Sequence, residues 1–428
     1  MAAGRHPFYT HRMHVPRLAA AAFGLLALLS AQTPQYDLLI KGGTVIDPKN
    51  NRNAVLDVAI AGGKIARVAA DIPEAQARRV ANARGYYVTP GLIDIHAHVY
   101  AGTGDKVLAG DQSVYPDGFS FRTGVTTLVD AGTSGAVNFA DFRDRVIVRA
   151  QTRVLAMLNI VGTGMGTLPE SDTGGMSVEN TIRVGKANPA LVVGIKTAHY
   201  SHKDWTAVER AVKAAEGLNV PVMVDFGNNH PERPIGTLFM EKLRPGDLYT
   251  HCFSGLRDEM VDGKLNASML QGRRRGILFD VGHGGGSFSW HVAHAAKAAG
   301  FWPDTISTDL HTGSMNAGMK DMATTMSKML VLGMPLDKVI DASTWAAAKA
   351  IKRAELGHLT EGSEADVTVL SVDAGKFGYV DSFGSRMDGN RKITAQLTVR
   401  AGRVVYDLNG ISAPDWTTVP ARRPRRPQ

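Results

Sequence analysis

The sequence predicts an α/β protein, a (β/α)8 TIM-like barrel accompanied by a small β-sandwich domain built from both chain ends. Three observations predict it. Between residues 90 and 354 short apolar runs alternate with longer helical stretches, the pattern of a parallel sheet with helical crossovers. On either side of that region the chain changes to alternating apolar and polar residues around Gly turns, as in Asp37-Leu-Leu-Ile-Lys-Gly-Gly-Thr-Val-Ile-Asp47 and again near Ala401-Gly402. Several of the central runs end in a histidine, a lysine or an aspartate, and the carboxyl ends of barrel strands are where such folds carry chemistry.

Taken in order, residues 1–31 read as a signal peptide. Met13-His-Val-Pro-Arg17 is basic, 18–29 is an unbroken small and apolar run, and Leu29-Ser-Ala31 resembles a small-residue cleavage site. The run is shorter than the roughly 20 residues that span a bilayer. Export to the periplasm or exterior is therefore expected, with no membrane association once the signal is removed. Residues 36–88 form the first part of the sandwich, 89–354 the barrel, 355–410 the second part of the sandwich, and 415–428 a basic disordered tail. The barrel strands are expected at 91–96, 126–130, 153–160, 191–196, 220–225, 247–251, 276–280 and 305–309. A chain of 428 residues with 44% hydrophobic content can bury a core of that size.

The net charge of +8 does not point to nucleic acid. Arg5, Arg12, Arg17, Arg422, Arg423, Arg425 and Arg426 lie at the two ends, and setting those seven aside from +8 leaves +1 for the body. No basic stripe interleaved with aromatics tracks a phosphate backbone. The single cysteine, Cys252, allows no intrachain disulfide and reads as a packed residue. Neither a Walker pattern nor a dinucleotide fingerprint opens a helix, so no organic cofactor is expected.

The chemistry centres on Pro90-Gly-Leu-Ile-Asp-Ile-His-Ala-His98. Side chains two apart on a strand share a face, so His96 and His98 can reach one cation. By the same count Asp94 points with them and can orient a ligand. Lys196 closes Leu191-Val-Val-Gly-Ile-Lys196, where lost hydration disfavours its charged form. A neutral amine there can add carbon dioxide and become a carbamate, the alternative being a lysine that reaches back to water.

The His96-Ala-His98 stretch resembles the first-strand signature of the amidohydrolase superfamily, and within it the dihydroorotase-like deacetylases that include acetylated-hydroxyacid and D-amino-acid deacylases. Phe279-Asp-Val-Gly-His-Gly-Gly-Gly-Ser-Phe288, Ile306-Ser-Thr-Asp-Leu-His311 and Met322-Ala-Thr-Thr-Met-Ser-Lys-Met329 extend the likeness, which runs from about residue 36 to about 408. The resemblance implies one or two divalent metal ions, zinc in the first place and manganese as the alternative. It implies a bridging carbamate on Lys196, and His251, ending Gly246-Asp-Leu-Tyr-Thr-His251, as a ligand of the second metal. It also implies Asp309 as a metal ligand and catalytic proton shuttle. Val220-Pro-Val-Met-Val-Asp-Phe-Gly227 departs from the pattern by placing Asp225 where close relatives have histidine. A carboxylate can ligate zinc, so Asp225 is read as the ligand, with His199 or His230 swinging in, or a mononuclear site, as alternatives. His283, among glycines that allow close approach, is read as a substrate contact. His291 and His294 read as structural, and His202 and His311 carry no decisive signal.

The expected function is metal-activated hydrolysis of an N-acyl (amide) or O-acyl (ester) bond of a small-molecule substrate, as in a deacetylase. Cyclic amide hydrolysis of the dihydroorotase or hydantoinase kind is the alternative, and a barrel that has lost catalysis and serves as a scaffold is the rival from another class. Homo-oligomerisation is left open.

Overall fold

The computed structural model describes residues 34–227 and 229–419. The expected signal peptide and residues 420–428 of the expected tail lie outside them. Within that tail Trp416–Thr418 forms a 3-10 turn capped by the Asp415 side chain.

Seven parallel strands make one curled sheet, in the spatial order Leu278–Phe279, Leu248–Tyr249, Val222–Val224, Val192–Thr197, Arg153–Asn159, Val125–Gly135 and Leu92–Ala97. Neighbours in the sheet are consecutive among these seven strands along the chain. The expected strand at 305–309 forms no ladder. It bridges both edges, Thr305 pairing with Asp280 and Leu310 with Ala97. His283 N donates to Ser307 O at 3.2 Å on one side, and Asp309 N donates to His96 O at 2.7 Å on the other. The first and last strands are thereby brought to a common neighbour.

Both faces of the sheet are buried, as parallel sheets require. Alternate residues Ile93, Ile95, Val129, Ala131, Leu155, Met157, Val193, Met223 and Leu248 fill the inside, closed below by Ala347, Ala348 and Ile351. Leu92, Leu128, Val154, Ala156, Leu158 and Val222 face the helical layer. Side chains plug the interior, so polar groups gather only above it, where the strands end.

The helices are capped by their own sequence. Ser177 accepts from Asn180 N to begin Val178–Ala187, and Asp321 accepts from Thr324 N to begin Met322–Leu332, which Gly333 ends at φ 115°.

The chain ends meet in a second sheet of eight strands. Its path runs Arg403–Asp407, Arg386–Arg400, Val367–Val380, Tyr87–Pro90, Leu38–Asp47, Arg52–Ala61 and Lys64–Ala69, with Val80–Asn82 paired to Leu38–Asp47. The two ends interleave, but as one hydrogen-bonded sheet and not as two separately paired layers. Tyr87–Pro90 is the joint: it pairs with Leu38–Asp47 on one side and Val367–Val380 on the other, then leads directly into Leu92–Ala97 of the parallel sheet. No helix among the described residues is long and apolar enough to cross a membrane.

Candidate metal centre

Strand Leu92–Ala97 delivers His96 at its end and His98 just beyond, both buried. The pairing register shifts between Asp94 and Ala97, so side-chain alternation does not carry through. Asp94 consequently does not join the histidines. It lines a cavity of about 240 Å³ with Val125, Leu128 and Thr308, accepts from His96 N at 3.2 Å, and accepts from Thr308 N at 3.0 Å and Thr308 Oγ1 at 2.5 Å. It ties the His96 backbone to the segment carrying Asp309. Burial raises its pKa to about 7.

The imidazoles are held by hydrogen bonds that define which nitrogen is free. Thr250 Oγ1 donates to Asp280 Oδ2 at 2.7 Å and therefore accepts from His96 Nδ1 at 2.9 Å. His251 Nδ1 donates to the Gly282 carbonyl at 2.5 Å. Both rings thus keep an Nε2 lone pair available, the support that ligating histidines need. His98 Nδ1 pairs with Thr133 Oγ1 at 2.8 Å.

Asp309 Oδ1 lies 2.8 Å from His98 Nε2 and 3.5 Å from His96 Nε2. His96, His98 and Asp309 each offer a ligand atom within 4.8 Å of the others. Burial favours the neutral acid, but His96 and His98 overcome it and hold the Asp309 carboxyl far below the usual carboxylate range. Two imidazoles and a carboxylate fit a divalent cation of the zinc or manganese type.

Lys196 ends the fourth strand with no exposure, its Nζ 3.0 Å from His96 Nε2. Burial pushes its pKa down, which favours the neutral amine. Gly132, at φ 85°, makes room for it: a Cβ there would lie 2.6 Å from both Cβ and Cγ of Lys196.

Asp225 stands at the centre of a second group. Its Oδ2 lies 3.2 Å from His199 Nε2 and 3.3 Å from His251 Nε2, and its Oδ1 accepts from Arg257 Nη2 at 2.5 Å. Burial opposes its ionisation, but Arg257, then His251 and His199, hold its pKa well below the ordinary value. His199, half exposed, is pushed up to about 9: burial works against this, and Asp225 and Glu170 outweigh it. His230 makes no contact of this kind with Asp225; of the two alternatives, His199 is the one brought in.

His199, His251 and Asp309 all adopt left-handed backbone, at φ 51°, 61° and 54°. Such conformations cost of order 1–3 kcal/mol in a residue with a Cβ and cluster where side chains must be aimed. All three line a cleft of about 590 Å³ with Asp225, Arg257, His311 and Gly285 to Ser287. His283 does not line it. It is fully buried, its ring stacked on Phe288 at 4.6 Å and its Nε2 bonded to Lys328 Nζ at 2.6 Å, so it supports the glycine loop from behind. The loop itself must be glycine at Gly284, where a Cβ would lie 2.5 Å from Asp309 Oδ2. Cys252 is buried, with its thiol pKa pushed up by that burial.

A deacetylase of Agrobacterium fabrum is 36% identical over 340 residues, covering 77% of this chain and 81% of that protein. The chain belongs to the amidohydrolase superfamily. A deacetylase of Enterococcus faecalis is 33% identical to this amidohydrolase over 384 residues, 87% of the chain and 99% of that protein. The sequence profile of the amidohydrolase family matches residues 290–405. Among solved structures, an adenine deaminase superposes with a TM-score of 0.78 at 31% identity, covering 87% of this chain and 100% of that one. A dihydroorotase does so at 0.75 and 31%, covering 86% and 99%.

Strand spacing and the superfamily likeness, with Asp225 as a departure from it, marked six side chains that the fold draws together: His96, His98, Lys196, Asp225, His251 and Asp309. Arg257 and Glu170 went unmarked. Arg257 sits in a loop with no local pattern, and Glu170 lies in a stretch whose shape depends on what it packs against.

Proposed function

We propose that this amidohydrolase uses divalent metal to hydrolyse an N-acyl or O-acyl bond of a small substrate, in the manner of a deacetylase. The observation that carries this is the convergence of His96, His98 and Asp309 within 4.8 Å, beside a buried lysine and at the mouth of a curled parallel sheet. We read that sheet as a closed (β/α)8 barrel with 305–310 as its eighth strand. His96, His98, Lys196 as a carbamate, Asp225, His251 and Asp309 would hold the metal, with zinc the first choice. When bound, such a cation supplies Lewis acidity, enough to lower the pKa of water from 15.7 to about 7.

The chain's own groups do the rest. Thr250 and Gly282 aim the imidazoles, and the Asp309 carboxylate accepts the proton from the attacking water and passes it to the departing nitrogen or oxygen. Glycines 284 to 286 leave the acyl group a path to Asp309. The basic amino-terminal segment followed by its apolar run supports export before the enzyme works, testable by sequencing the amino terminus of the exported protein.

The test is acetate release by zinc- or manganese-loaded protein, in bicarbonate, from N-acetyl amino acids of both hands and O-acetyl hydroxyacids, beside ring opening of cyclic amides. Acetate release that falls about 10²–10⁴-fold in Asp309→Asn is the expected result. Ring opening alone would favour the second reading, cyclic amide hydrolysis, which the likeness to a dihydroorotase structure keeps in view. Absence of both bound metal and hydrolysis would leave the scaffold.

A further inference from the structure

We propose that Lys328 is a positioning residue through which the second sheet fixes one wall of the cleft: its side chain ties the glycine loop at 282–286 to the hairpin formed by Val367–Val380 and Arg386–Arg400. The inference rests on the hydrolase reading above and makes a turn of the second sheet a determinant of how tightly substrate is held.

Residues 282–286 read Gly-His-Gly-Gly-Gly, four glycines in five positions, and glycine loses the most conformational freedom on ordering. Gly285, Gly286 and Ser287 nevertheless line the cleft, so a defined wall needs anchors from outside the loop. One anchor precedes the lining residues. Gly282 N donates to Ser307 Oγ at 3.1 Å, His283 N to Ser307 O at 3.2 Å and Gly284 N to Thr308 O at 2.9 Å. The other follows them and comes from the hairpin. Phe288 N donates to Ser382 Oγ at 3.1 Å, and Ser382 N donates back to Phe288 O at 2.9 Å. Trp290 N donates to Asp381 Oδ2 at 3.2 Å and Trp290 Nε1 to Tyr379 O at 3.0 Å. Asp381 is buried, and its Oδ1 accepts from Phe383 N at 2.9 Å and Ser385 N at 2.8 Å, which shapes the hairpin turn itself.

Lys328 stands behind both anchors. An ammonium has three protons to give and accepts none. Lys328 Nζ has three acceptors: His283 Nε2 at 2.6 Å, Gly318 O at 2.8 Å and Val380 O at 2.6 Å. His283 Nδ1 donates to Gly284 O at 2.8 Å, so its Nε2 carries the lone pair that Lys328 fills. Nζ also lies 5.2 Å from the centre of the Phe288 ring, on which His283 is stacked. Gly318 lets its loop approach this closely, since a Cβ there would lie 2.5 Å from Val380 O and 2.8 Å from Asp381 O. With Lys328 wholly buried, no solvent replaces it: without the amine, an imidazole nitrogen and two carbonyls lose their donor. Three segments distant in the chain, at 283, 318 and 380, are thus held by one group. The portion of the loop that serves His251 has its own tie through Gly282 N and Ser307, so the tether acts on the wall and leaves the metal ligands in place.

The test reads amide hydrogen exchange, zinc content and kinetics on N-acetylalanine and O-acetyllactate in the full chain, in Lys328→Met and in Ser382→Ala, a partly exposed position that keeps the question answerable should the buried variant not fold. Lys376→Ala, at an exposed site on the same hairpin, is the control. Exchange in 283–290 is expected to quicken by about 10-fold in Lys328→Met and by a few-fold in Ser382→Ala, with Val192–Thr197 as protected as in wild type. KM is expected to rise about 10-fold in Lys328→Met and a few-fold in Ser382→Ala, with kcat within about threefold and zinc content unchanged, the signature of lost binding and not of lost chemistry. The inference is overturned by unchanged exchange in 283–290, by exchange that quickens equally in Val192–Thr197, or by a fall in kcat or zinc with KM unmoved. A wild type that cleaves neither probe sinks the hydrolase reading instead, and the exchange result still decides the tether.

Discussion

Replacing Gly132 with alanine tests whether Lys196 is held in a space cut to fit it. Gly132 has φ 85°, and the added Cβ would meet Lys196 Cβ and Cγ at 2.6 Å, with Asn159 Cβ at 3.4 Å. Holding alanine in a left-handed conformation costs roughly 1–2 kcal/mol. Lys196 is wholly buried and Asn159 is pinned to Glu170 and to the Gly132 carbonyl, so the overlap cannot be relieved by turning a side chain into solvent. Overpacking of that kind costs about 1–3 kcal/mol. The two together predict a loss of roughly 2–5 kcal/mol, or its relief by shifting Lys196 away from His96 with loss of bound metal. Denaturant unfolding and zinc content per chain read the two outcomes. Gly118→Ala is the control, since a Cβ there meets nothing within 4 Å, and a change within about 0.5 kcal/mol is expected. Unchanged stability together with unchanged zinc content in Gly132→Ala would refute the packing argument for Lys196.

Lys196→Ala is expected to lose bound zinc and activity together, and full retention of both, measured by metal analysis and acetate release, would exclude a bridging role. Thr250→Val removes the hydroxyl between His96 and Asp280 and is expected to weaken zinc by about 10–100-fold in chelator competition, with the fold kept. Lys328 is wholly buried among Gly318 O, Val380 O and His283, and burial lowers its pKa to about 7. Between about 7 and its unfolded value the unfolded chain carries the extra proton, so this group's contribution to stability rises with pH across that window, by at most about 1.4 kcal/mol per unit. Lys328→Met is expected to remove that slope whatever its constant offset, as read from unfolding free energies at pH 7 and pH 9; identical slopes would contradict it.

By itself the sequence determined the parallel α/β core and marked polar residues at the ends of its strands. The reason is that an apolar run ending in a polar residue is a local pattern, and in a barrel the end of a strand is also a place in space. His96, His98 and Lys196 could be read that way because each sits at or just past such an end, and the family likeness added His251 and Asp309. What only the tertiary structure decided is where local alternation failed or where partners came from afar. The register shift beyond Asp94 turned that carboxylate away from the histidines to which simple parity had assigned it. His283 was drawn behind its glycine loop by Lys328, 45 residues away, and so left the cleft to the glycines. Arg257 reaches Asp225 across 32 residues and Glu170 reaches His199 across 29, contacts that exist only once separate loops close over the strand ends. The two chain ends likewise became a single sheet because Tyr87–Pro90 pairs on both sides before the chain enters the parallel sheet, a connection that no short stretch of residues displays.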